Sequence, residues 1–257
     1  MNNNPTTLLQ ELLDIMAKLR SKDEGCAWDR AQTFKTIVPH TIEEAYEVAD
    51  VIERNALAEL PSELGDLFYQ ILFYCQMAKE EQRFSLTEVL AALKEKLIRR
   101  HPHVFNNEQP KAWDEIKKQE KPDAPLLGSI PSHFPALSMA QKLQNRAATV
   151  GFDWPNLHPV LAKLQEEIKE FEEAFANHDQ AAMSEELGDI LFVCANLARH
   201  AKLDAEQVLR LANQKFTRRF QGVEEQVKAS GKAWDAFSLE ELETFWHVVK
   251  KTEKIRN

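Results

Sequence analysis

Glu166-Glu167-Ile168-Lys169-Glu170, followed by Glu185-Glu186-Leu187-Gly188-Asp189, is the stretch on which the reading of this chain turns. On an α-helix, residues three apart share a face. Glu167 with Glu170, and Glu186 with Asp189, therefore form two carboxylate pairs that can each close on one ion. Like charges at this spacing cost helix stability, so five glutamates within residues 166–173 need a reason to be there. Two such helices packed side by side make a four-carboxylate cage. Oxygen ligands of this kind suit a hard divalent cation such as Mg²⁺, which keeps part of its water and leaves positions open for substrate phosphates.

The pattern occurs twice. Glu44, Glu47, Glu63 and Asp66 precede Glu167, Glu170, Glu186 and Asp189 by 123 residues each, and the second pair is Glu-Leu-Gly-Asp both times. Further on, Lys96-x-x-Arg99-Arg100 matches Lys215-x-x-Arg218-Arg219 at an offset of 119, so four residues are lost between the third and fourth helices of the repeat, where a loop is expected to absorb them. Trp113-x-x-x-Lys117 resembles Trp246-x-x-x-Lys250. Apolar residues at helical spacing, abundant Ala, Leu, Glu, Lys and Gln, and only 7 Gly point to helix almost everywhere and to no convincing strand. The expected architecture is all-α: a helical domain over residues 1–105, a Pro-, Lys- and Asn-rich linker over 106–135 with one short helix around Trp113 to Lys118, and a second helical domain over 136–257. Each domain is too small to bury its apolar faces well unless it packs on a copy of itself, so a homodimer with four-helix-bundle-like cores is expected.

Composition narrows the function. A formal net charge of -9 argues against a nucleic-acid polymer as partner, because such a partner calls for a basic face. Three cysteines without a Cys-x-x-Cys pair suit a reducing cytoplasm. No apolar run approaches the 18 or so residues of a membrane span, and the polar first residues lack a signal pattern, so no membrane association is expected.

In the second half Leu161, Leu164, Ile168, Phe171 and Phe175 form an apolar stripe. At about 100° per residue, Glu167 falls roughly 70° from its centre and Glu170 roughly 130°, which places the acids where core meets solvent. Leu187, Ile190, Leu191, Cys194, Leu197 and Ala201 make the corresponding stripe on the next helix. Lys215, Arg218 and Arg219 share one face of a helix expected to pack near the acids. Arg grips phosphate oxygens in a bidentate way and Lys acts as a point charge. The same three residues would serve equally as a basic helix end favoured by the macrodipole. Trp246 and Lys250 can stack a base and hold a phosphate, though a Trp at helical spacing also suits a core.

Glu-Glu-x-x-Glu, fifteen intervening residues and Glu-x-x-Asp, preceded by Cys26-Ala27-Trp28-Asp29 and followed by Lys96-x-x-Arg-Arg-His-Pro-His-Val-Phe105, resemble the MazG family of bacterial nucleoside triphosphate pyrophosphohydrolases. The resemblance extends to the tandem arrangement and to Val-Gly-Phe-Asp-Trp at 150–154. It implies Mg²⁺-dependent hydrolysis of ribo- and deoxynucleoside triphosphates to the monophosphate and pyrophosphate. Glu167, Glu170, Glu186 and Asp189 would be the metal ligands, with Lys163, Glu166, Lys215, Arg219, Trp246 and Lys250 around the nucleotide. The family's C-terminal half is usually the active one. Nothing in the residues themselves ranks the two halves, since Glu44, Glu47, Glu63 and Asp66 form a complete second set. Water would attack the alpha phosphorus, with Glu166 or a neighbouring carboxylate accepting its proton and no Ser, Cys or His nucleophile needed. A dUTP hydrolase of narrower specificity and a non-catalytic helical scaffold are the alternatives. A di-iron bundle would need Glu-x-x-His, which none of the eight histidines provides.

Overall fold

The computed structural model describes residues 4–106, 109, 110, 116, 120, 125–128, 130, 131 and 134–256, and every regular element among them is helical. The chain divides into two compact units, residues 1–120 and 121–257. The helix expected around Trp113 to Lys118 lies outside the described residues, apart from Ile116, which is helical and buried.

The first unit holds α1 (Pro5–Leu19), α2 (Ala27–Ala31), α3 (Phe34–Glu53), α4 (Leu60–Glu80), α5 (Leu86–Arg100) and α6 (Pro102–Phe105). Local chemistry starts these helices where they start. Asn4 caps α1 ahead of Pro5, Thr33 and Thr36 form a capping box on α3, and Ser85 and Glu88 form another on α5. The helices α1 and α3 pack on α4 around Met16, Ile37, Leu72 and Phe73. Phe73 is fully buried, edge-on to Trp28 and Tyr69, with the Arg20 guanidinium 5.4 Å from its ring centroid. Arg20 also fixes the end of α1 to the end of α4 through Glu80 at 2.8 Å.

The second unit holds α7 (Ala136–Ala148), α8 (Leu157–Ala176), α9 (Gln180–His200), α10 (Ala205–Ser230) and α11 (Leu239–Arg256), with a 3₁₀ turn at Trp234–Ala236. Its central element is the α8–α9 hairpin; α7 lies on α9, and α10 packs chiefly on α11. Gln141 on α7 bridges the α9–α10 turn, donating to the Leu203 carbonyl at 2.9 Å and accepting from the Ala205 N–H at 3.0 Å. The close contact of α10 with α11 needs Gly222, because a Cβ there would lie 2.9 Å from both methyl carbons of Val249.

Two features differ from the sequence expectation. On α8 the buried line is Val160, Glu167 and Ala174, a strict seven-residue repeat, while Leu161, Ile168 and Phe175, each one residue further on, are exposed, Phe175 by 61%. One residue is about 100° of helix, so the Leu161, Ile168 and Phe175 line of the stripe is turned away from the α8–α9 seam, while Leu164 and Phe171 of the same stripe are half-buried. Leu187 and Leu191 on α9 are exposed too. Among the described residues, this unit's buried cluster is formed by Ala140, Ala195 and Ala205, far less apolar bulk than the cluster of the first unit.

The second difference concerns the four-residue deletion. Beyond Asp66, α4 continues for 14 residues before a five-residue loop (81–85); beyond Asp189, α9 continues for 11 before a loop of four (201–204). The helix end, not the loop, absorbs most of the loss. Three residues are close to one turn of 3.6, so trimming them shortens the helix while nearly preserving the direction in which the chain leaves it.

Candidate metal centre and its surroundings

Asp179 starts α9 by accepting from the N–H groups of Ala181 and Ala182, each at 3.1 Å, and so sets the register that turns Glu186 and Asp189 toward α8. There Glu167, Glu186 and Asp189 each bring one carboxylate oxygen within 4.8 Å of the other two. Glu167 is 4% exposed and Glu186 half-buried, with Asp189 at the rim. Glu170 stands outside this tight set, beside Glu167. Burial, then the neighbouring Glu167 carboxylate, pushes the Glu170 carboxyl above the usual range. Glu186 is pushed up by burial and by Glu170, Glu167 and Asp189. Such a site carries more negative charge than its surroundings neutralise. Oxygen-only donors, a surplus of charge and an open rim fit a hard divalent cation.

Lys163 lies one turn before Glu167, with its Nζ 2.8 Å from Glu167 and 2.8 Å from Glu166. Its pKa is raised by those two carboxylates, Glu166 first. Gly188 sits between Glu186 and Asp189, and a Cβ built on it meets nothing within 4 Å; the same is true of Gly65 in the first copy.

The first unit repeats the cage with Glu44, Glu63 and Asp66 within the same 4.8 Å limit. Burial is the main cause that raises Glu44 and Glu63, with Glu47 and Asp66 adding to it. The surroundings differ. At the 123-residue offset Lys163 becomes His40, which lies 3.6 Å from Glu43, and Val193 becomes Gln70. The buried Gln70 donates to Glu44 at 3.4 Å, while its own Oε1 is buried without a partner among the described residues.

The basic residues form a separate group. Arg218 and Arg219 on α10 both bond Glu253 on α11: Arg218 Nε donates at 2.8 Å, with Arg218 Nη2 closer still, and Arg219 Nε donates at 2.7 Å. Trp246 is half-buried against Phe216, ring centroids 5.3 Å apart, with the Arg219 guanidinium 6.0 Å from its ring. Lys215 and Lys250 are exposed. Among the described residues the ion pairs of the two arginines therefore go to Glu253 and not to the cage.

Glu253 was missed by motif reading, as was Glu120, which takes Arg99 at 2.7 Å and Arg100 at 2.6 Å in the first unit. A signal existed: Glu120 and Glu253 stand at the 133-residue offset that relates Trp113 to Trp246. Also missed was the pairing of Asp153 with Arg199, at 2.9 Å from Arg199 Nη1, which lowers the Asp153 pKa. Both residues border an apolar cavity of about 540 Å³, along with Trp154, Asn196 and Phe192, the last three residues beyond Asp189 on the same helix. Its volume lies within the range of small-molecule sites.

A family model described as the MazG nucleotide pyrophosphohydrolase domain matches residues 32–105 and again 156–223, the segments that carry the two cages. A protein of Escherichia coli (strain K12) named nucleoside triphosphate pyrophosphohydrolase is 47% identical over 257 residues, covering 95% of this chain and 98% of that one. One of Thermotoga maritima, named nucleoside triphosphate pyrophosphohydrolase/pyrophosphatase MazG, is 42% identical over 248 residues, covering 95% and 96%. No helix among the described residues is long and apolar enough to cross a membrane. With both copies of the acidic motif matched and the likeness running nearly end to end, the chain belongs to the MazG nucleotide pyrophosphohydrolase family.

Proposed function

We propose that this protein hydrolyses ribo- and deoxynucleoside triphosphates to the monophosphate and pyrophosphate, with Mg²⁺, as a cytoplasmic house-cleaning enzyme of the nucleotide pool. The observation that carries the proposal is the convergence of Glu167, Glu186 and Asp189 from two helices. Glu170, three residues beyond Glu167 on the same face of α8, completes the ligand set. Bound there, Mg²⁺ would supply charge neutralisation for the phosphates and acidify a water. The chain's own residues do the rest. Lys163 holds Glu166 and Glu167 in place. Glu166 is exposed and within one turn of the cage, where it can accept a proton from the attacking water. Arg218, Arg219, Lys215 and Lys250 grip phosphate oxygens, and Trp246 offers a face to the base. Pyrophosphate release from a panel of nucleoside triphosphates, with and without Mg²⁺, tests the proposal; release from none of them would sink it, and release from dUTP alone would replace it with the narrower enzyme.

The same reading assigns residues 1–105 and 136–257 to two duplicated domains joined by 106–135, with the C-terminal one active. Glu44, Glu47, Glu63 and Asp66 remain a second metal set. The protein acts as a homodimer, because the exposed stripes of α8 and α9 give each chain an apolar face for its partner. Leu191→Asp should convert the dimer to a monomer in sedimentation while leaving helical circular dichroism unchanged; a dimer that persists would place the interface elsewhere.

Metal dependence has a pH signature. Glu44, Glu63, Glu170 and Glu186 all titrate above the ordinary 4.5 in the folded chain. Their contribution to stability is present below that value and is lost as pH rises through the raised values, since ionisation then opposes folding. A bound cation removes this loss. The rise in Tm on adding Mg²⁺ should therefore be several degrees near pH 8 and vanish near pH 4.5. A shift independent of pH would mean that the ion binds elsewhere.

A further inference from the structure

The arginines that would grip a triphosphate already hold an anion of the chain's own. Glu253 spans both: Oε1 takes the Nε and Nη2 edge of Arg218, and Oε2 takes Nε of Arg219. That edge is the one through which a guanidinium grips carboxylate and phosphate alike. Glu253 and Arg219 are shielded, at 19% and 16% side-chain exposure, whereas Arg218 is open to solvent. The three residues border a cleft of about 800 Å³ between α10 and α11. The first unit builds the same arrangement from Glu120 with Arg99 and Arg100, and there Glu120 is drawn down to about 2, by Arg100 first and then Arg99.

We propose that Glu253 sets the affinity of the phosphate clamp, as a built-in counter-anion that occupies the binding edge of Arg218 and that the phosphates of a nucleotide must displace. This rests on the clamp reading given above. A carboxylate between two guanidiniums leaves the group with one net positive charge, enough to draw a polyphosphate. The incoming anion breaks one ion pair as it forms its own, so it binds less tightly than two unpaired arginines would hold it. Products gripped by Arg218 leave the more readily for the same reason, since Glu253 is tethered on α11 and returns. A plain helix tie between α10 and α11 would have the opposite consequence: loss of the carboxylate would loosen the clamp and weaken binding.

The sign of the effect on affinity separates the two. Binding of inorganic pyrophosphate by calorimetry, and KM for a nucleoside triphosphate with Mg²⁺, are measured on the full chain for wild type, Glu253→Gln, Glu253→Asp and Arg218→Ala. Glu253→Gln should tighten pyrophosphate binding and lower KM by about fivefold, the scale of a partly exposed ion pair. Glu253→Asp, which restores the charge, should return both toward wild type. Folded Glu253→Gln with affinity unchanged or weakened overturns the proposal. If that variant does not fold, Glu253→Met, of similar length and apolar, takes its place; failure of both to fold would make the pair a structural tie and overturn the proposal as well. Arg218→Ala tests the underlying reading: weaker binding there with no tightening in Glu253→Gln refutes the counter-anion alone, while unchanged binding in Arg218→Ala refutes the clamp itself.

Discussion

Glu167→Gln is expected to lower pyrophosphate release by a factor on the order of 10²–10³, with helical content unchanged and Tm within a few degrees of wild type. The side chain is buried at the centre of the α8 seam, between Val160 and Ala174, and its oxygens meet those of Glu186 and Asp189. Glutamine keeps the volume and can still accept from Lys163, so packing survives. What it lacks is the charge that a cation needs, in a shielded position where water substitutes poorly. Glu44→Gln, made alongside, should leave turnover near wild type. The reverse result, with Glu44→Gln inactive and Glu167→Gln active, would move the catalytic site to the first unit; full activity in both would remove the cages from the mechanism.

Phe73→Ala is expected to cost about 3–5 kcal/mol of stability in the first unit, read from the denaturant midpoint of its transition. Phe73 is fully buried, with Trp28 and Tyr69 edge-on to its ring and Met16, Ile37 and Leu72 in the same core. Helices anchored on three sides close poorly around the lost ring, which places the cost in the upper part of the range for such truncations. The proposed second-unit site gives the variant a further use. Turnover measured below its transition should persist, whereas a parallel loss of activity would tie the chemistry to the first unit. A cost under about 1 kcal/mol would mean that the core around Phe73 collapses into the cavity.

Much of this was legible in the sequence, because the signals are local. A carboxylate three residues from another on a helix shares its face whatever the helix packs on, so Glu186 and Asp189 could be paired from spacing alone. The 123-residue register then made a second cage a matter of repetition. Which face of α8 turns inward was not legible. Leu161, Ile168 and Phe175 make a better apolar stripe than Val160, Glu167 and Ala174, and hydrophobicity favours the first. The acid lies on the inward line, one residue along, and the stripe is left on the outside of the chain. Periodicity reports that a face is apolar but not whether its neighbour belongs to the same chain. The partners of Arg218 and Arg219 were hidden for a different reason. Glu253 is 34 residues from Arg219 and has no motif of its own, so only the repeat offset pointed to it. The trimmed end of α9 was misassigned to a loop because a deletion of nearly one turn leaves the helical pattern on either side intact.

The open space above Gly188 and Gly65 has a consequence of another kind. A glycine inside a helix gives up about 1 kcal/mol relative to alanine, and at both positions the described chain leaves room for a larger side chain. Both copies of the motif thus forgo helical stability at the residue that separates their two acids. Alanine at Gly188 or Gly65 should therefore stabilise its helix by about 1 kcal/mol without touching its own chain, so any loss of turnover in such a variant would report contact with something other than that chain.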